Sequence, residues 1–182
     1  IGGGTPTTLE PDQLKILLDA LIANFDCEHL AEFTIEAGRP DSITEEKLKV
    51  LASHGISRIS INPQTMNQKT LDIIGRRHTV DETKQAFALA RECGFDNINM
   101  DLIVGLPGES YDDVEHTMKE LEAMAPDSVT VHSLAIKRAA RLSLFKDKYE
   151  EMGLENNMQI MDMTARYCAE MGLSPYYLYR QK

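Results

Sequence analysis

Asn97-Ile98-Asn99-Met100-Asp101-Leu102-Ile103-Val104, the run Gly105-Leu106-Pro107-Gly108 and the segment Tyr111 to Met124 together decide the fold class. The first stretch is rich in apolar and β-branched residues and reads as a strand, the second as a tight loop and the third as an amphipathic helix. The same scheme recurs on both sides. Towards the N-terminus, Ile56 to Ile61 is a strand and Asn62-Pro63 a breaker. Asn67 to Ile74 is a short helix ending at Gly75, and Val80 to Cys93 a longer one with Gly94 behind it. Before these, Ala31 to Glu36 reads as a strand, Gly38 and Pro40 break it, and Thr44 caps a helix opening on Glu45-Glu46-Lys47. Pro11 to Phe25 sets Leu14, Leu17, Leu18, Leu21 and Ile22 on one helical face. Towards the C-terminus, Ser128 to Leu134 is a fourth strand, Leu154 to Met171 a helix and Pro175 to Tyr179 an aromatic strand.

Strands alternating with helices imply an α/β fold with right-handed crossovers and a parallel sheet. The pattern leaves open whether that sheet closes into a barrel or stays flat and doubly wound. At 182 residues the chain suits one domain over residues 1–182, and it is shorter than the about 250 residues of a complete eight-unit barrel. The opening Ile1-Gly2-Gly3-Gly4-Thr5-Pro6 looks like the end of a strand, so we expect a piece of a longer protein.

A net charge of −10 disfavours nucleic acid and anionic membrane surfaces as partners, since both require a basic face. The hydrophobic fraction of 42% contains no run of membrane-spanning length. Cys27, Cys93 and Cys168 are scattered and odd in number, which fits a reducing cytoplasm and not a disulfide framework. The histidines, His78 and His132 among them, show no metal-binding spacing. His54 and His116 are expected on helix surfaces, and Met152, Met158, Met161, Met163 and Met171 as core filler.

In either architecture ligands bind at the carboxyl ends of strands. The residues found there are Gly2, Gly3, Gly4 and Thr5, then Glu36, Asn62 and Gln64, Asp101, His132 and Tyr176. Three glycines leave backbone amides and carbonyls unshielded for a small zwitterion or phosphate, or else make a flexible turn. Glu36, ending an apolar strand, should point into the mouth of the site, where its charge calls for a cation such as an ammonium or sulfonium. Asp101 either meets a ligand or pairs with Arg58 or Arg76. Arg76, in Gly75-Arg76-Arg77-His78, either grips a ligand carboxylate bidentately or is merely solvated.

Gly2-Gly3-Gly4-Thr5-Pro6, Thr34-Ile35-Glu36, Ser60-Ile61-Asn62-Pro63-Gln64, Gly75-Arg76-Arg77-His78 and Met100 through Glu109 together resemble radical S-adenosylmethionine (SAM) enzymes. His132 through Arg138 and Pro175 through Lys182 resemble the oxygen-independent coproporphyrinogen III oxidase group, in its HemN/HemZ-like branch. That resemblance implies a partial (β/α)6-type barrel of parallel strands, truncated at both ends. It implies S-adenosyl-L-methionine as cofactor, with Gly3, Gly4 and Thr5 against the methionine moiety, Glu36 at its amino group and Arg76 at its carboxylate. Gln64 and Asp101 would face the ribose and the Ala135 backbone the adenine. It also implies a 4Fe-4S cluster on a Cys-x-x-x-Cys-x-x-Cys motif. No such spacing occurs in this sequence, so the cluster is expected in the parent protein only, with no metal ligand or catalytic residue assigned here and no turnover by the chain alone.

The activity implied is oxidative decarboxylation of coproporphyrinogen propionates in haem biosynthesis, through a 5′-deoxyadenosyl radical. It requires a tetrapyrrole substrate, with Lys137, Arg138 and Arg141 as candidate contacts, and a reductant protein such as flavodoxin or ferredoxin. A haem-binding or haem-transfer protein on the same barrel is the alternative.

Overall fold

A computed structural model of the chain describes residues 1–134 and 157–176. It has strands β1 (Thr34–Gly38), β2 (Arg58–Gln64), β3 (Ile98–Val104) and β4 (Ser128–Ser133), in the order β1-β2-β3-β4 within one sheet. Helices α1 (Pro11–Asn24), α2 (Glu45–Ser53), α3 (Gln68–Ile73), α4 (Val80–Glu92), α5 (Tyr111–Met124) and α6 (Met158–Glu170) alternate with them. β1 pairs parallel to β2, with Ile35 opposite Ile59 and Glu36 opposite Ser60. β4 follows β3 in the same sense, since Asp127 donates to the Ile98 carbonyl and Leu134 to that of Val104. A doubly wound sheet reverses its strand order at a switch point. Here the order runs in one direction, as right-handed crossovers produce in a barrel wall.

One departure from the sequence reading concerns a breaker. Pro63 lies inside β2, which runs on to Gln64, and its carbonyl takes a contact from His78 Nε2 at 3.2 Å. Gly38, at φ +69°, is the last residue of β1, so the strand ends where the sequence reading breaks it, and the register to β2 slips by one residue there as at a bulge. Pro175 and Tyr176 are exposed and in no strand, while residues 177–182 and 135–156 lie outside the described residues. In the methionine-rich helix Met163 is buried, whereas Met158 is 72% exposed.

Contacts divide the chain into two units. The first comprises Ile1–Pro63, His78–Met100 and Pro126–Ser128. Its core includes Leu14 and Leu18 of α1, Leu48 and Leu51 of α2, and Ile35 and Ile59 of the sheet. His54 Nε2 contacts Asp19 Oδ1 at 3.1 Å, tying α2 to α1. The loop Pro6–Thr8 is fastened by a buried polar knot: Thr7 Oγ1 donates to the Ala37 carbonyl, and Lys47 Nζ donates to the carbonyls of Thr7 at 2.7 Å and Ser42 at 3.2 Å. Replacing Lys47 by methionine leaves those carbonyls without their charged donor. It is expected to cost about 2–3 kcal/mol, read as a lowered urea midpoint at unchanged slope.

The second unit comprises Gln64–Arg77, Asp101–Ala125 and Val129–Lys182. In it α5 packs on α6, burying Met118 and Leu121 on one helix and Ile160 and Met163 on the other. Tyr167 Oη donates to Glu115 Oε1 at 3.2 Å.

Candidate functional site

The N-terminal glycines start from the sheet. The Ile1 amino group donates to the Thr34 carbonyl at 2.6 Å, and the Glu36 amide donates to the Ile1 carbonyl at 2.9 Å, which is one rung of a parallel ladder. Ile1 therefore pairs in parallel beside β1, and Gly2 to Thr5 follow it. Glu36 lies against Gly2 so closely that a Cβ built there would stand 2.7 Å from Cδ and Oε2. Any larger residue at this position requires the Glu36 side chain to shift. A Cβ on Gly3 (φ +93°) or Gly4 would meet nothing within 4 Å, so the backbone there is open. Thr5 packs on the end of β1, where a Cβ on Gly38 would come within 2.9 Å of its Cγ2. The first unit thus brings Gly3, Gly4, Thr5 and Glu36 together. The Glu36 side chain is exposed, so its carboxylate stays hydrated and the burial cost expected from sequence does not arise.

Gln64, Arg76 and Asp101 belong to the second unit. Gln64 ends β2, buried, at φ +71°. Arg76 is half-buried and follows Gly75 (φ +73°); its amide donates to the Leu71 carbonyl at 2.9 Å, a glycine stop that fixes the backbone where the guanidinium departs. Asp101 is half-buried in mid-β3. Of the two arginines considered for it, Arg58 has partners elsewhere: Nη1 lies 3.8 Å from Glu32 Oε1 and Nη2 donates to Ser128 Oγ at 3.2 Å. Ala135, Lys137, Arg138 and Arg141 lie outside the described residues.

Glu109, part of the quoted glycine-loop motif but assigned no role from sequence, is 3% exposed. It accepts hydrogen bonds from Thr65 Oγ1, Asn67 Nδ2 (3.1 Å) and Thr70. Burial pushes its carboxyl above the ordinary value of 4.5, and the three hydrogen bonds oppose that rise. Its protonated form therefore contributes stability that is complete below 4.5 and lost as pH rises through the raised folded value. Relative to Glu109→Gln, the wild type is expected to gain unfolding free energy as pH falls from neutral towards that ordinary value, measured by urea titration at both.

A glycine cradle against a strand-end carboxylate fits the amino-acid end of S-adenosylmethionine: open amides and carbonyls for the zwitterion, and an acceptor for its ammonium. The cluster fares otherwise. Among the described residues no three His, Cys, Asp or Glu side chains are grouped to hold a metal, and Cys27, Cys93 and Cys168 are separate free thiols. Burial raises the Cys93 and Cys168 thiols, which disfavours thiolate. No group of side chains that could hold such a cluster is found among the described residues.

The fold is an α/β barrel wall whose first strand carries glycines and the Glu36 carboxylate at its carboxyl end. Residues 1–121 match the radical SAM superfamily, and the chain belongs to that superfamily. It is 48% identical over all of its 182 residues to the oxygen-independent coproporphyrinogen-III oxidase-like protein HemZ of Bacillus subtilis (strain 168), of which it covers 36%. It is 39% identical over 138 residues to the heme chaperone HemW of the same organism, covering 75% of this chain and 36% of that one. The solved coproporphyrinogen III oxidase HemN of Escherichia coli, a radical SAM enzyme, superposes with a TM-score of 0.76 at 28% identity, over 94% of this chain and 39% of that one. The chain thus spans little more than a third of these relatives' length.

Proposed function

We propose that this chain is the S-adenosylmethionine-binding part of an oxygen-independent coproporphyrinogen III oxidase-like enzyme of haem biosynthesis. The observation that carries the reading is the Glu36 carboxylate held against the Gly2 backbone at the open end of β1. When bound, S-adenosylmethionine supplies one-electron chemistry for removing a hydrogen atom from the substrate. The residues of this chain bind and orient. Gly3 and Gly4 offer unshielded backbone to the methionine moiety, Thr5 flanks it, and Glu36 accepts from its ammonium. Arg76 takes the carboxylate, and Gln64 and Asp101 satisfy the ribose hydroxyls. Fixing both ends of the cofactor restricts which substrate hydrogen is within reach.

The substrate in this reading is a tetrapyrrole whose propionate becomes a vinyl group by losing a hydrogen atom to the cofactor's one-electron chemistry, one electron to an external electron acceptor, and carbon dioxide. A reductant protein such as flavodoxin or ferredoxin serves the parent enzyme, and the 182-residue chain alone, without cluster ligands, is expected to be inactive. The resemblance to HemW favours a second reading, a haem carrier on the same barrel. Anaerobic incubation of the full-length, cluster-loaded protein with reductant, S-adenosylmethionine and coproporphyrinogen III separates the two. The oxidase reading expects 5′-deoxyadenosine together with protoporphyrinogen IX. Stoichiometric haem binding with no conversion of coproporphyrinogen supports the carrier and overturns the oxidase.

A further inference from the structure

Gln64 has a backbone that a side-chain-bearing residue rarely adopts, φ +71°. Such a conformation is strained for a residue with a Cβ and persists only where its surroundings impose it. The imposing groups lie immediately downstream. Thr65 Oγ1 donates to Glu109 Oε1 and lies 3.2 Å from Thr117 Oγ1. The Met66 amide donates to Thr117 Oγ1 at 3.1 Å. Asn67 Nδ2 donates to Glu109 Oε1 at 3.1 Å and to the Asp113 carbonyl at 2.9 Å. Three consecutive residues after Gln64 are thereby fastened to the β3–α5 loop and to α5, and Glu109, Thr65 and Thr117 are all nearly fully buried. Glu109 is the one charged member, and it accepts from two of the three.

We propose that Glu109 is a positioning residue: through Thr65 and Asn67 it holds Gln64 in its left-handed conformation and so aims the Gln64 amide into the ligand site. This rests on the cofactor reading above, since it assigns Gln64 a ligand to meet. A buried carboxylate suits the task because it accepts several hydrogen bonds at once and, enclosed in a water-poor network, holds them in one geometry.

The test is a double-mutant cycle on the full-length, cluster-loaded protein, with S-adenosylmethionine affinity read by calorimetric titration and the thermal midpoint recorded for each variant. Gln64→Ala is expected to weaken binding about tenfold, the loss of roughly one well-made hydrogen bond to the ligand. Glu109→Ala is expected to weaken it by a similar factor with Gln64 present and by less than about twofold in the Gln64→Ala background, because residues acting through one contact do not add. Thr65→Ala, a smaller perturbation, should repeat that non-additivity and decides the matter if Glu109→Ala does not fold. Multiplying losses, or unchanged affinity in Glu109→Ala or Thr65→Ala, overturn the proposal while leaving the cofactor assignment standing. A wild-type protein that does not bind S-adenosylmethionine overturns the cofactor reading itself.

Discussion

Gly2→Ala in the full-length, cluster-loaded protein is expected to weaken S-adenosylmethionine binding by about tenfold to a hundredfold while leaving the thermal midpoint nearly unchanged. The new methyl would stand 2.7 Å from Glu36 Cδ and Oε2 and 2.9 Å from Oε1, closer than any real contact. Something must move, and the cheapest movement is the Glu36 side chain, which is exposed and ends in a carboxylate free to rotate into water. The backbone need not yield, so the fold loses little. In the proposed reading the carboxylate then leaves the position from which it would accept from the ligand's ammonium, and a charge-assisted hydrogen bond is lost. Calorimetric titration paired with a thermal melt checks both halves. Unchanged affinity would mean that Glu36 does not act from its place beside Gly2.

The opposite pattern is expected at Ile59. It is fully buried in β2, opposite Ile35, and its amide donates to the Asn97 carbonyl at 3.2 Å. Ile59→Ala removes three buried carbons and leaves a cavity that a strand paired on both sides is poorly placed to collapse. The expected loss is about 3–4 kcal/mol of unfolding free energy, a large part of the total stability of an ordinary domain. Urea unfolding reads it directly, and a loss below about 1 kcal/mol would show that β2 is not part of the core described. Gly2 and Ile59 thus separate the chemistry of the strand ends from the packing that carries them.

Most of the scaffold was legible because it is written locally. Tyr111 to Met124 was bounded correctly at both ends, and the structure places Ser110 ahead of it with Asp113 closing a capping box. Thr44 was read as a cap and does accept from the Lys47 amide. Gly38 closes β1 as local pattern indicates, whereas Pro63 does not close β2, which runs on to Gln64. The choice between barrel wall and doubly wound sheet required the strand order.

The strand-end positions of the candidate residues are legible in the sequence, and their contacts are not. Glu36 and the glycines were picked out by position at strand ends. That the carboxylate lies on Gly2 follows from the rung between Ile1 and β1, which no local pattern encodes. Glu109 escaped because its partners are distant in sequence: Thr65 precedes it by 44 positions, and a carboxylate after a glycine turn looks like any solvated one. A threonine two residues before an asparagine, just past a strand end, was the available signal, and it means little until the second loop is seen to meet it.

Calorimetric titration of the full-length, cluster-loaded protein with S-adenosylmethionine, beside Glu36→Ala and Arg76→Ala, tests the central claim most directly. The account predicts saturable one-to-one binding by the wild type, with each variant weakened by about tenfold or more, since each loses a charged partner of the cofactor's amino-acid end. Binding of equal strength by all three proteins, or none by the wild type, would contradict it.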